Sequence, residues 1–329
     1  MKIITLTPNA SDATSYYRAW GVFPDIMKRS DITFTDYYEA QGVVNQARVA
    51  DANGQLISIP TKGFTWAQAL QYDAVFLQRA FGNAVDIAAF MKDCGLKLIY
   101  ELDDNLFEIP DNFSIKQAFN KEVLGTIEYL IRISDLVIVS TQALADYIEE
   151  KFQVKCEVVN NGIDLNRYPI QPYNENGGLV WRGSRTHIED LRTFRSELEA
   201  IQEHISFWAH DPVKDRPYLN IKNYDFVKPM DIMYYMHNIR QIKPRGVITP
   251  LEANLFNACK SNIAYLEATI AGAISYSNQW GEFKGKGLNL SQINERSKEV
   301  HDEATQDLHD NYSLTKLNDR RIELLKGVL

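Results

Sequence analysis

Along the 329-residue chain, short aliphatic and β-branched runs alternate with stretches whose apolar residues recur at helical spacing. "KIITLT" (2–7) predicts a strand, followed by a helical stretch from about Ser15 to Arg29. "DAVFLQ" (73–78) predicts a strand before a helix over 83–95. A strand over 96–102, a long helix within 114–134, a strand over 135–140 and a helix over 141–152 follow. Strand then helix, repeated, means βαβ units and a parallel sheet, and near-continuous apolar strands mean a sheet covered on both faces. The segment 42–60 differs: Asn53-Gly54 between two alternating runs predicts an inserted β-hairpin.

The alternation breaks at "YPIQPYNENGG" (168–178), whose prolines, asparagines and glycines suit an interdomain linker. It then restarts. Strands are expected at 178–183, 205–210, 246–250 and 272–277, and helices at 186–204 (Thr186 as N-cap), 230–241 and 256–271. The last 40 residues are helical and polar. The chain therefore divides into an N-terminal Rossmann-like domain, 1–170, and a C-terminal one, 171–329. The expected α/β fold has two parallel-sheet domains facing a cleft, with the final helices crossing back to the first domain. In such sheets ligands bind beyond the carboxyl ends of the strands.

A composition of 45% hydrophobic and 24% charged residues suits two globular cores. No apolar run approaches a membrane span, and the N-terminus reads as a first strand rather than a signal peptide. Three scattered cysteines, Cys94, Cys156 and Cys259, have no metal-ligand spacing and predict free thiols in a reducing cytoplasm. The net charge is −8, unevenly spread: residues 1–170 carry 15 Lys and Arg against 22 Asp and Glu, residues 171–329 carry 20 against 21. An acidic first half argues against broad nucleic-acid binding there, while basic residues between Arg182 and Lys260 suit a compact anion such as a diphosphate.

Four stretches just past predicted strands carry candidate chemistry. In "VWRGSRTHIEDL" (180–191), backbone N–H groups at a helix start, with Ser184, Thr186 and Arg182 or Arg185, would hold a phosphate. A capped helix with surface arginines would give the same pattern. In "PLEANLFNACKSNIAYLEATIAGA" (250–273), Asn257, Lys260, Ser261 and Glu267 recur at helical steps along a largely apolar helix. A lysine and a serine in its first turns can meet a phosphate and a glutamate two turns on can take a ribose diol; an exposed charge pair is the plainer reading. In "YELDDNLFEIP" (100–110), Asp103 and Asp104 would hold a metal, orient hydroxyls or act as a base, or merely cap a loop. In "ASDATSYYRAW" (10–20), Ser15, Tyr16, Tyr17 and Arg18 stand at the cleft mouth, or in an N-capped first helix. Of six histidines only His187 and His210 fall at expected cleft positions. There is no GxGxxG or phosphate-loop lysine motif, no HExxH and no Ser-His-Asp order.

Together these stretches resemble the two-Rossmann-domain (GT-B) glycosyltransferases, specifically their family 4-like retaining group. "VVNNGID" (158–164) is similar to its V-x-N-G-I/V-D segment. "VWRGSRTHIEDL" resembles W-x-G-S-x-T-H-x-x-D-L, and "PLEANLFNACKSNIAYLE" resembles P-L-x-x-x-x-F-N-x-x-K-S-x-x-x-x-x-E, a Lys-Ser variant. "YELDDNLFEIP" is similar to E-x-D-D-x-L-F-x-x-P, and the matches fall in the family's order over residues 100–273.

The resemblance implies transfer of a hexosyl or pentosyl unit from a nucleotide-diphosphate sugar, UDP-sugar favoured, to an acceptor hydroxyl. Retention, no catalytic metal and no cofactor beyond the sugar nucleotide are implied with it. Glu267 would take the ribose, and Lys260 and Ser261 the diphosphate or donor sugar. Arg182, Gly183, Ser184 and Thr186 would hold the phosphates, with Asn257 on the same donor face and the backbone around Val227 reading the base. Asp103, Asp104 and Ser15–Arg18 would face the acceptor and the transferred sugar. Many members carry a second glutamate where this chain has Cys259, so Lys260 would take over donor contact and the stereochemistry stays open.

The acceptor would be a saccharide, a lipid-linked molecule or a small molecule, with no integral membrane segment. Three other readings stand beside it: a viral-type DNA glycosyltransferase acting on a hydroxylated base, a manganese-dependent single-domain-type (GT-A) transferase using Asp103 and Asp104, and a non-catalytic sugar-nucleotide or glycan binder.

Overall fold

The computed structural model describes residues 1–7, 12–50, 56–80, 82–183, 187–214 and 219–328, with the backbone alone for 43–50 and 56–62. The strands are β1 (Lys2–Leu6), β2 (Thr33–Asp36), β3 (Gly42–Ala50), β4 (Leu56–Gly63), β5 (Ala74–Gln78), β6 (Lys97–Leu102), β7 (Leu136–Val139) and β8 (Glu157–Val158). Six of them form a parallel sheet in the order β2-β1-β5-β6-β7-β8, and β3 pairs antiparallel with β4 as the inserted hairpin. The Asn53-Gly54 turn lies outside the described residues. Both faces of the sheet are buried, as the apolar strands require. Along β6, Leu98, Tyr100 and Leu102 enter one core while Ile99 joins Ile3, Phe76 and Ile138 in the other.

The second sheet contains β9 (Leu179–Arg182), β10 (Ile205–Trp208), β11 (Tyr224–Val227), β12 (Gly246–Thr249), β13 (Ile274–Ser277) and β14 (Leu288–Asn289). It is parallel throughout, ordered β11-β10-β9-β12-β13-β14, the 3-2-1-4-5-6 arrangement of a Rossmann sheet. The strand order reverses between β9 and β12 here, and between β1 and β5 in the first sheet. Those two points face the cleft.

The helices that frame the site are α1 (Phe23–Arg29), α2 (Ala84–Asp93), α3 (Lys121–Ile133), α4 (Gln142–Phe152), α5 (Ile188–Thr193), α6 (Ile232–Ile242), α7 (Ile263–Ile270), α8 (Lys298–Asn311) and α9 (Leu314–Gly327). The side chains of Asn120, Thr141 and Asp231 cap α3, α4 and α6. The final helix crosses back, as expected. Leu314 and Leu325 enter the first sheet's core beside Ile3 and Ile26. Asn318 Nδ2 donates to Asp25 Oδ2 at 2.8 Å, and Leu314 N to Ile163 O at 2.8 Å.

Three expected helices are broken. The 15–29 stretch is a turn at Ala13–Ser15, a π-helical segment Tyr16–Trp20 and then α1, with Pro24 in the first turn of the new helix. The helix expected within 114–134 is α3, Lys121–Ile133, preceded by a 3-10 turn at Lys116–Ala118. The 186–204 helix divides at Phe194 into α5 and the turn Arg195–Glu199, and Thr186 lies outside the described residues. The 256–271 helix is interrupted at 259–262 between the turn Leu255–Ala258 and α7. There the Thr141 hydroxyl donates to Cys259 O at 2.9 Å, taking the carbonyl that a continuous helix would pair with the N–H of Ile263. The stretch 168–178 is coil, but it is tied down: Gln171 N donates to Ile270 O and Asn174 N to Gly272 O.

Candidate active site

Between the carboxyl ends of the two sheets lies a cavity of about 360 Å³. Tyr17, Arg18, Arg79, Asp103 and Asp104 line it from the first sheet's side, and Arg182, His187, Lys260 and Ser261 from the second's. Asp103 and Asp104 follow β6 directly. Arg79 Nη1 lies 3.7 Å from Asp103 Oδ2, and Arg79 Nη2 lies 3.5 Å from Asp104 Oδ2. Lys260 Nζ reaches across the cleft to Asp104 Oδ1 at 3.4 Å and stands over the Phe256 ring. The interruption of the helix frees Lys260 and Ser261 from a helical surface and points them into this cavity.

The two adjacent carboxyls are driven apart in acidity. Burial, with Asp104 beside it, raises Asp103 above the usual carboxylate range despite Arg79. Burial acts on Asp104 in the same sense, but Lys260 and Arg79 outweigh it and hold that carboxyl low. Asp103 Oδ1 is buried without a hydrogen-bond partner, while Oδ2 faces Arg79.

A second cavity, about 550 Å³, meets the first at Ala13 and Arg182. Gly183, Trp208, Lys228, Pro229, Tyr235 and Glu267 line it. Glu267 is fully buried and already serves three donors: Tyr17 Oη at 2.8 Å to Oε1, with Tyr235 Oη at 2.8 Å and Arg182 Nε at 2.7 Å to Oε2. A carboxylate has about four acceptor directions, so one remains, on Oε1. Burial and Glu267 push the Tyr17 and Tyr235 hydroxyls well above their ordinary range, keeping both as donors. Arg79 and Ala209, at φ 47° and 72°, are non-glycine residues with left-handed backbone, each just past a strand and each lining one of the cavities. Such strain, about 1–3 kcal/mol per residue, concentrates at functional sites.

Several expected residues stand elsewhere. Ser15 is fully buried with its hydroxyl on Gln78 Oε1 at 3.2 Å, and Tyr16 packs into the interior with its hydroxyl on Tyr168 Oη at 3.4 Å. The π-helical turn swings both away from the cavity and leaves Tyr17 and Arg18 on it. Arg18 is held by an ion pair with Glu101 and by Asn161 Oδ1 at 3.0 Å. Asn257 is a brace rather than a cavity residue: fully buried, it donates to Asp190 Oδ1 at 2.7 Å and Glu252 O at 3.0 Å. The Val227 carbonyl accepts from Ala209 N at 2.9 Å, and its neighbour Lys228 lines the second cavity instead. Ser184 and Thr186 lie outside the described residues. Cys259 is buried with Sγ 3.5 Å from Asn105 Nδ2, away from the cavity, and burial raises its thiol to about 11.

Sequence reasoning missed Arg79, which a search past the strand "DAVFLQ" would have found. It also left His187 without a partner. His187 Nδ1 lies 2.9 Å from Asp190 Oδ2, so the imidazole is oriented by a buried carboxylate at the cavity wall. Among the described residues, no group of three or more His, Cys, Asp or Glu side chains is placed to hold a metal ion. No described helix is long and apolar enough to cross a membrane, and all three cysteines are free.

Two parallel six-stranded sheets facing across a cleft, bridged back by the last helix, are the GT-B architecture, which glycosyltransferases and sugar-nucleotide epimerases both use. The sequence matches no protein-family profile and no curated protein. Solved structures do match in shape. Sucrose-phosphate synthase from Thermosynechococcus elongatus aligns at TM-score 0.57 and 10% identity, covering 99% of this chain and 96% of that one. The phage T4 β-glucosyltransferase aligns at TM-score 0.52 and 13% identity, covering 99% and 97%. UDP-GlcNAc 2-epimerase from Neisseria meningitidis, bound to UDP-GlcNAc, aligns at TM-score 0.50 and 11% identity, covering 99% and 100%.

Proposed function

We propose that the protein is a glycosyltransferase that moves a sugar from a nucleotide-diphosphate sugar, UDP-sugar favoured, to an acceptor hydroxyl. The observation that carries this reading is the meeting of Lys260 from the second sheet's side with the Asp103–Asp104 pair at the end of β6, in a cavity that shares Ala13 and Arg182 with a second one. The nucleoside would occupy the second cavity, its ribose on the free direction of Glu267 and its base against Trp208 and Pro229. The diphosphate would lie at Arg182 and Gly183, where the cavities join, within reach of Lys260.

As the sugar–phosphate bond breaks, the diphosphate gains negative charge. Lys260, Arg182 and Arg79 are fixed cations already facing that position, so they stabilise the charge with little reorganisation and no metal is needed in this reading. Asp104, kept ionised, tethers Lys260 and Arg79. Asp103, which lines the cavity beside Arg79, would hold a hydroxyl of the transferred sugar or of the acceptor. His187, oriented by Asp190, would donate to the departing phosphate when protonated. With Cys259 buried outside the cavity, no side chain at that position reaches the donor. Retention through front-face attack is the outcome we expect.

The test is a thermal-shift and turnover screen against UDP, GDP, ADP and their common sugars, with and without manganese. A ligand at about a hundred times its Kd adds roughly 2.7 kcal/mol, a shift of several degrees. Stabilisation by one nucleotide, with slow metal-independent release of free sugar, is the expected result. No shift with any nucleotide refutes the reading. Isomerised sugar nucleotide with no sugar released would place the chain with the epimerases instead.

A further inference from the structure

The segment "VVNNGID" (158–164) ends the first sheet's half of the chain, and its adjacent asparagines take different partners. Asn160 is fixed through backbone and side chain: Arg321 Nη2 of α9 donates to its carbonyl at 3.1 Å, and its Nδ2 donates to Ser140 O at 3.0 Å. Gly162 lets the chain around α9 come this close, since a Cβ there would stand 2.7 Å from Leu317 Cδ1 and 3.0 Å from Tyr312 O. Asn161, held between them, is buried and lines the central cavity. Its amide joins the two walls of that cavity: Oδ1 accepts from Arg18 Nη1 at 3.0 Å, and Nδ2 donates to Ser261 Oγ at 2.8 Å.

The direction of that amide follows from its arginine partner. A guanidinium only donates, so the amide must turn its oxygen toward Arg18 and its NH2 away. Arg18 is itself locked: it is 3% exposed, ion-paired with Glu101, and its Nη1 also donates to Val159 O at 2.7 Å. The NH2 of Asn161 therefore faces Ser261, whose oxygen is the acceptor in that bond, and the serine proton must point elsewhere. Among the described residues that proton has no acceptor. Ser261 lines the cavity together with Lys260 and Arg182. A hydroxyl committed to donating suits a ligand atom that only accepts, and a phosphate oxygen is such an atom.

We propose that Asn161 is a positioning residue: anchored by Arg18, it sets the direction of the Ser261 hydroxyl so that its proton is presented to the donor's diphosphate. The inference rests on the glycosyltransferase reading and assigns Ser261 to the diphosphate rather than to the transferred sugar, with Asn161 acting through it.

Asn161→Asp tests the direction. The carboxylate keeps an oxygen on Arg18 but offers Ser261 an acceptor in place of a donor, so the serine proton turns to it and lone pairs face the ligand. Asn161→Leu removes the amide and leaves the hydroxyl free to rotate. Binding of UDP and of inorganic pyrophosphate is titrated on the full chain, well below each variant's Tm. Affinity should fall about tenfold in Ser261→Ala, by less than about tenfold in Asn161→Leu and by about thirtyfold or more in Asn161→Asp, the scale of one charge-assisted hydrogen bond lost or inverted. Uridine, which has no phosphate, should bind every variant within about threefold of wild type. Asn161→Asp/Ser261→Ala should stay within about threefold of Ser261→Ala alone, because the two residues act as a unit.

A merely structural amide predicts the reverse order, since Asn161→Asp keeps the Arg18 contact that Asn161→Leu loses, and that order overturns the proposal. So does a loss in Asn161→Asp that persists in full on top of Ser261→Ala, which assigns it to charge repulsion. Unchanged pyrophosphate affinity in Ser261→Ala overturns it as well, and this variant carries the test if either Asn161 variant fails to fold. A chain that binds pyrophosphate with the expected variant order but binds no nucleotide refutes the transferase reading alone; a chain that binds neither refutes both.

Discussion

The Tyr17 hydroxyl donates to Glu267 Oε1 across 2.8 Å, joining the end of the first sheet to α7 of the second over 250 residues of sequence. Arg182 and Tyr235 complete the same buried cluster. The residue best placed to take the ribose is thus also a fastener between the two halves. Glu267→Ala leaves Arg182 without its anion and should cost about 3 kcal/mol, seen as a Tm lowered by several degrees. Glu267→Gln keeps the size but also removes Arg182's anion, so its nucleotide affinity is read well below its own Tm, where it should fall about tenfold, in line with ~1.5 kcal/mol for a hydrogen bond to a charged group. Tyr17→Phe should leave that affinity within threefold. Unchanged nucleotide binding in Glu267→Gln would remove the ribose role.

Lys260 stands at 3.4 Å from Asp104, its cation available to a departing diphosphate. Lys260→Ala should lower kcat by ~10²- to 10³-fold, the range for removing one preorganised charge-stabilising group, while donor Kd changes much less. Single-turnover kinetics separates the two. A parallel loss in Kd alone would make Lys260 a binding residue only.

The Asp103–Asp104 pair makes an acid-side prediction with a definite sign. Asp103 must be ionised to accept a hydroxyl proton or hydrogen bond, and burial and the charge of Asp104 raise its pKa. Transfer should therefore increase with pH through a limb above the ordinary carboxylate value. In Asp104→Asn the repelling charge is gone and Arg79 and Lys260 turn to Asp103, so the limb should move to lower pH. A limb that stays in place or moves upward assigns it to another group.

Glu101 predicts a separable effect on stability. It is buried beside Arg18, and burial raises its pKa from 4.5 to about 7 despite that arginine. The folded state then holds a proton that the unfolded state has released between those values, so this contribution to stability is full below 4.5 and disappears as pH rises through 7. Urea unfolding of the wild type and Glu101→Gln at pH 5, 6, 7 and 8 should show the wild type's relative stability decreasing at each step. A pH-independent difference would place Glu101's ionisation at its ordinary value.

His187 offers a finer test of the cavity's second wall. Its ring is 2.9 Å from the fully buried Asp190 carboxylate, which Asn257 and the Glu252 N–H also hold. Asp190→Asn should reproduce most of the loss seen in His187→Gln, and the double variant should add little, because the two act as a unit. Additive losses would separate them.

Period and strand length made the architecture legible: β1, β5, β6, β7, β9, β10, β12 and β13 are apolar runs bounded by turn residues, and they fall where expected. The unforeseen strands β2, β8, β11 and β14 are two to four residues long and partly polar, so edge pairing rather than pattern defines them. Helix breaks were illegible for another reason. The interruption at 259–262 depends on Thr141, more than a hundred residues away, taking the Cys259 carbonyl. The same distance effect governs the site. Residues directly after strands, such as Asp103, Asp104 and Arg182, were readable as cleft residues. The inward turn of Ser15 and Tyr16 and the burial of Asn257 depend on partners from other elements.

The return of α9 to the first sheet has a consequence for how the protein is made. Leu314 and Leu325 complete a core whose opening strand begins at residue 2. On the ribosome, residues 2–6 emerge well before residues 314–327, so the first sheet's interior is sealed only after the second sheet has been made. A chain stopped before residue 314 would emerge with two sheets and no closed first half, so a premature stop anywhere upstream should yield material for proteolysis rather than a working fragment.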